Sequence, residues 1–207
     1  GCWEDTGCSG DYDKMTPMEG KIITKVKDIE QLHICMGFPG TPFGDAGIYP
    51  QALVNSILGG SMSSRLFQRI REEMGMAYSI YTFPNSYVGC GSFGIYAGVS
   101  PKNGKTVLEE INRELDKFLK EGITEEEFRS AKTQLRSGYL MGLESPGSRM
   151  QNLGRSMLLL GKAKDPAETI AQIEAVTMEA TMEAARRILT PKPCIAVVGK
   201  NADEFNI

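Results

Sequence analysis

The chain reads as an α+β fold, a mainly antiparallel sheet with helices packed against one face. The periodic stretches run strands, helices, strands, helices, strand, and do not alternate one for one as in a parallel α/β sheet. Stretches with a two-residue apolar period are short. Those with three- and four-residue spacing are long and end in helix-stop signals.

Lys21 to Lys27 supplies a first strand, and Asp28 and Glu30 mark a turn. Gln31 to Met36 continues as a second strand, which Gly37-Phe38-Pro39-Gly40 and Thr41-Pro42 are expected to end. A helix from about Gly47 to Leu58 follows and breaks at Gly59-Gly60. Leu66, Phe67, Ile70 and Met74 predict a second helix, capped by Ser63 or Ser64 and closed by a left-handed Gly75. Tyr78, Ile80 and Thr82 then alternate with Ala77, Ser79 and Tyr81 in a strand that Pro84-Asn85-Ser86 closes. Phe93, Ile95, Ala97 and Val99 alternate with small residues in its hairpin partner, where another backbone is expected to approach closely.

Val107, Leu108, Ile111, Leu115, Phe118 and Leu119 form an amphipathic helix stopped at Gly122. Thr124 and Glu127 spell a capping box for a helix running to about Leu143 with Phe128, Ala131 and Leu135 inward. Met150, Leu153, Met157 and Leu160 make another helical face, ended by Gly161. Asp165-Pro166 starts a further helix, and Val176-Thr177 the last, which stops before Pro191. Cys194 to Val198 is wholly apolar and suits a buried strand.

A chain of 207 residues, 41% hydrophobic and 24% charged, is ordinary for a globular protein. Its net charge of −3 gives no broad attraction for phosphate backbones, so nucleic acid is not an expected partner. No apolar run approaches the roughly 20 residues of a membrane helix. Residues 1–17 are polar and turn-rich and read as an arm or linker on which Trp3 is the one docking residue; residues 18–207 form the folded domain. The first residues contain neither an initiator Met nor a signal peptide, which fits a fragment or processed chain. Five cysteines without a C-x-x-C argue against a disulfide framework and a closed zinc site. Cys35, Cys90 and Cys194 read as small buried hydrophobes, and Cys2 and Cys8, though near enough to bridge, as thiols of a reducing cytoplasm.

Gly89 to Gly94 matches G-x-G-x-x-G, yet strand follows strand there, and a dinucleotide site needs a helix directly after the glycines. Gly59-Gly60-Ser61 lacks the Lys of a phosphate loop and reads as a packing turn. His33 is the one histidine, so a metal site, a catalytic triad and an activated cysteine would all depend on it. A hydrogen-bonded strand histidine is the simpler reading.

The run GGSMSSRLFQRIREEMGMAYS, with Gly37-Phe38-Pro39-Gly40 before it and the Pro193 to Gly199 strand after it, resembles the pitrilysin/insulinase-type zinc peptidases. More narrowly, it is similar to the C-terminal half of short bacterial members related to the mitochondrial processing peptidase. The resemblance implies a sheet of about six strands and a two-half clamshell with zinc on H-x-x-E-H in the other half. It implies no metal in this chain. It also implies that Arg71 and Tyr78, seven residues apart, bind peptide substrate, with the Tyr78 hydroxyl supporting the oxyanion or substrate carbonyl. Read without the resemblance, Arg71 complements a helix dipole and Tyr78 is a cross-strand aromatic. The expected partners are the zinc-bearing half or a homologous subunit, and peptide. Self-association through Met74, Met76, Met150 and Met157 is a further expectation, against their placement in the core. The rival functions are a non-catalytic peptide-binding or structural subunit, and a likeness of fold alone.

Overall fold

The computed structural model describes residues 20–205, so the arm at 1–17, Trp3 and the Cys2 and Cys8 thiols lie outside the described residues. Five strands form one sheet: β1 (Ile22–Val26), β2 (Leu32–Pro39), β3 (Ala77–Tyr87), β4 (Cys90–Val99) and β5 (Cys194–Gly199). Their order is β1-β5-β2-β4-β3. Every pairing is antiparallel except β1 with β5. The described residues therefore hold five strands where the resemblance implied about six. The apolar strand β5 takes an internal position that separates β1 from β2, but of its residues only Val197 and Gly199 are buried and Ala196 is exposed.

Helices α1 (Ile48–Leu58), α2 (Gly104–Glu121), α3 (Glu125–Glu144), α4 (Pro146–Leu160), α5 (Pro166–Glu174) and α6 (Met178–Leu189) form the second layer. The α3 capping box is present in full, and Ser145, Asp165 and Thr177 cap α4, α5 and α6. Gly122 and Gly161 end α2 and α4 at positive φ (78° and 69°), where a side chain would be strained.

Two strands outrun their expected ends. β2 continues through Pro39 because Phe38, 3% exposed, is held in the core and the strand stays paired with β4. β3 passes through Pro84 to Tyr87 because it is the sheet edge, where a missing N–H breaks no necessary ladder bond.

Leu32, Ile34, Met36 and Phe38 of β2, with Phe93, Ile95, Ala97 and Val99 of β4, are buried against Leu53, Val54, Val107, Ile111, Phe118, Ala185 and Ile188 of the helices. Intervening residues on the other face are only half-covered. They include His33, Cys35, Tyr96 and Phe83. Gly94 leaves room for the Phe83 ring, and Gly91 for the Thr41 carbonyl, so the small residues of β4 admit a neighbouring ring as well as a backbone. The α4 face reads differently from its periodicity: Met150, Leu153, Met157 and Leu158 are exposed, while Met74 and Met76 are half-buried.

Candidate functional site

The segment from Ser61 to Tyr81 carries two backbone irregularities, one on each side of Gly75. Residues Phe67–Glu73 form a π-helix, closed by a bond from the Met74 N–H to the Arg69 carbonyl five residues back (3.2 Å). The sequence predicts an ordinary α-helix here. In the wider coil residues four apart still share a side: Leu66 and Ile70 are fully buried, while Phe67 and Met74 are half-covered. The expected serine cap is absent. Ser64 is 1% exposed and its hydroxyl donates to the Ser61 carbonyl (2.6 Å), so it faces inward.

Arg65 and Arg69 fasten this coil to the helix layer. Arg65 donates through Nε and Nη2 to the two carboxylate oxygens of Glu127 (2.6 and 2.8 Å) and to the Gly122 carbonyl (2.7 Å). Arg69 donates to Glu110 (2.7 Å) and Glu73 (2.9 Å). Glu110 is 3% exposed and takes a second guanidinium, Arg113, at 2.6 Å. A carboxylate so buried needs such partners, since an unpaired charge away from water is heavily penalised. Burial alone would raise the Glu127 carboxyl, but hydrogen bonds from Arg65 and the Thr124 N–H outweigh it and hold it at about 2.

Arg71 lies in the last turn of the π-helix, exposed, with its guanidinium 4.9 Å from the centre of the Phe67 ring. Gly75 (φ 61°) turns the chain into β3. There Ala77 pairs with Val99 and Ser79 with Gly98, so Tyr78 is an extra residue, a β-bulge. Strict alternation would put Tyr78 on the buried side with Ile80 and Thr82. The bulge turns it outward instead, to 62% exposure. Arg71 and Tyr78 thus occupy neighbouring elements, both open to solvent, and no hydrogen bond joins them among the described residues. A groove of about 640 Å³, lined by Arg65, Arg69, Glu110, Glu114 and Glu127, runs beside the coil without including either residue.

His33 bonds through Nδ1 to the Tyr96 hydroxyl (2.7 Å), as a satisfied strand histidine does. Burial pushes the Cys35 thiol up, away from thiolate chemistry. Among the described residues no three His, Cys, Asp or Glu side chains converge as a metal site, so they do not fit zinc. The G-x-G-x-x-G run is the β3–β4 turn followed by strand, with Gly89 at φ 82°. Gly59 and Gly60 are packed against Thr82 and Asn55, a packing turn.

Periodicity missed the aromatic group on the half-covered sheet face. Tyr81 lies 5.0 Å from Tyr96 and 5.9 Å from Phe83, and Tyr96 meets His33. Its signal was the pairing of Tyr81 with Phe83 two residues apart, which puts both on one side of a strand.

The five-stranded sheet and the helical layer packed on it define an α+β domain. Residues 10–135 match the family described as the peptidase M16 inactive domain. An uncharacterized zinc protease of Bacillus subtilis is 37% identical over 181 residues, 87% of this chain and 44% of that protein. The chain belongs to the M16 peptidase family, as its inactive, C-terminal domain. Solved structures share the fold: the peptidase M16 inactive domain from Pseudomonas fluorescens (TM-score 0.78, 21% identity, 88% of this chain and 44% of that chain) and a protease from Helicobacter pylori (TM-score 0.83, 17% identity, 95% and 48%). The chain spans less than half the length of these proteins.

Proposed function

We propose that this chain is the C-terminal, metal-free half of a zinc-dependent endopeptidase, and that it presents Arg71 and Tyr78 to a peptide held against a zinc-bearing half. The observation that carries the reading is the pair of irregularities around Gly75. A π-helix and a β-bulge, both frequent at functional sites, expose these two side chains on a scaffold anchored by Arg65 and Arg69. The Tyr78 phenol donates to a substrate carbonyl as it gains negative charge, and the Arg71 fork grips a carbonyl or carboxylate of the peptide. Activation of the water nucleophile is assigned to the partner half, where the homologues' description as zinc proteases leads us to expect the metal. We assign residues 1–17 to an arm or inter-half linker and the rest to a single domain, in a reducing, cytoplasmic setting.

The test is steady-state kinetics on a quenched peptide with the reconstituted enzyme, zinc occupancy being checked for each variant. Tyr78→Phe should lower kcat roughly 10- to 1000-fold with a smaller change in KM. Arg71→Lys keeps the charge but loses the planar fork, so KM should rise more than kcat falls. Parental kcat in the first and parental KM in the second would reduce both residues to structural roles.

The second reading is a non-catalytic peptide-binding or structural partner subunit of the same fold, with which the family description of an inactive domain is equally consistent. A partner half without H-x-x-E-H would establish it over the first.

A further inference from the structure

Phe43, Ile48, Tyr49, Leu135, Tyr139 and Leu153 line a hollow of about 340 Å³ between α1, α3, α4 and the start of α5, well apart in sequence from Arg71 and Tyr78. That volume lies in the range of small-molecule sites. Its walls are mainly apolar, but Arg149, Arg155 and Lys164 stand among its lining residues and, among the described residues, no Asp or Glu does. Asp45 and Glu168 belong to a separate hollow that shares Tyr49 and Lys164 with this one.

The three cations are poorly neutralised. Among the described residues none of them makes an ion pair, in contrast to Arg65, Arg69 and Arg113 around the charged groove. Arg155 stacks 4.5 Å from the centre of the Phe43 ring and gives one Nη2 bond to the Ser86 carbonyl, which fixes the guanidinium and leaves other donors available. Lys164 lies 5.6 Å from the Tyr49 ring centre and reaches its hydroxyl at 3.5 Å. Three cations at an apolar hollow, two of them held, with no carboxylate among the described lining residues, call for an anion with an apolar body. Guanidinium and ammonium groups bind a carboxylate by charge-assisted bonds, while the aromatic and aliphatic walls cover the tail.

We infer that this hollow is a binding site for a small amphiphilic carboxylate, an aliphatic acid whose head meets Arg149, Arg155 and Lys164 and whose tail lies against Tyr49, Leu135 and Leu153. The site is independent of the peptide-binding reading above. Nothing in it requires the zinc-bearing half.

The test is titration calorimetry of the 207-residue chain with decanoate below its micellar concentration, beside decan-1-ol and acetate. Decanoate should bind saturably at one site. Decanol, without the charge, and acetate, without the tail, should each bind at least about ten-fold more weakly, as expected for loss of a charge-assisted bond or of buried apolar area. Arg149→Gln with Lys164→Gln should weaken decanoate by about ten-fold or more and leave decanol unchanged. Leu153→Asp, at a position 47% exposed, puts a carboxylate at the hollow without emptying the core and should abolish decanoate binding. Circular dichroism melting checks that each variant is folded. No saturable decanoate binding, equal affinity for decanol, or unchanged affinity in folded variants would each overturn the assignment.

Discussion

Glu127 joins three jobs in one carboxylate: it closes the α3 capping box, pairs with Arg65 and so ties the π-helix to the helical layer. Its pKa is held at about 2, below the ordinary 4.5, so the folded state binds its proton less readily than the unfolded chain. The stabilisation is therefore complete above about pH 4.5 and is lost as the pH falls through about 2. Glu127→Gln should cost about 1–2 kcal/mol at pH 7, the loss of a charged pair and part of a cap. Urea unfolding at pH 7 and pH 3 measures it, and the gap between variant and parent should narrow at the lower pH. Gly75→Ala meets no neighbour, since the space beside Gly75 is open, yet φ is 61°. The cost, about 1–2 kcal/mol, would be purely conformational. An unchanged melting temperature would show that the turn relaxes to another geometry.

At the scale of elements the helices were legible almost to the residue, because caps and left-handed glycines are local signals. Thr124 with Glu127, Asp165 with Pro166, and Gly161 each act within one turn of the chain. The strand ends were less legible. Pro84 reads as a breaker until its strand is known to be the sheet edge, and edge position depends on strands far away in sequence. The π-helix and the bulge were invisible for a related reason: neither changes the apolar pattern much, but both change where a side chain points. Residues Arg71 and Tyr78 were reached through resemblance, and the π-helix and bulge that set their exposure were not. The π-helix predicts unequal costs for its apolar residues. Ile70→Ala, at a fully buried position, should lose about 2–5 kcal/mol, and Phe67→Ala, half-covered, clearly less. Hydrogen exchange over residues 67–76 should rise in the first variant. Equal protection in both would mean that Ile70 does not hold the coil in place.

For the whole molecule, the expectation is that the purified chain keeps no stoichiometric zinc after dialysis, since His33 is engaged by Tyr96 and no ligand cluster forms among the described residues. Metal analysis finding about one zinc per chain would point to ligands that the described residues do not bring together. Under the proposed function, activation of the water nucleophile then falls to the partner half. The strand order carries one further consequence. β5 is near the end of the described chain, yet it is hydrogen-bonded to both β1 and β2 and lies between them. During synthesis β1 has no partner among the described residues until residues 194–199 leave the ribosome, and β2 keeps an open side for the same interval. Closing the sheet is thus a late, long-range step that loop-closure entropy makes slow, and a nascent chain stalled before Cys194 would display two unpaired strand edges to chaperones or to other copies of itself.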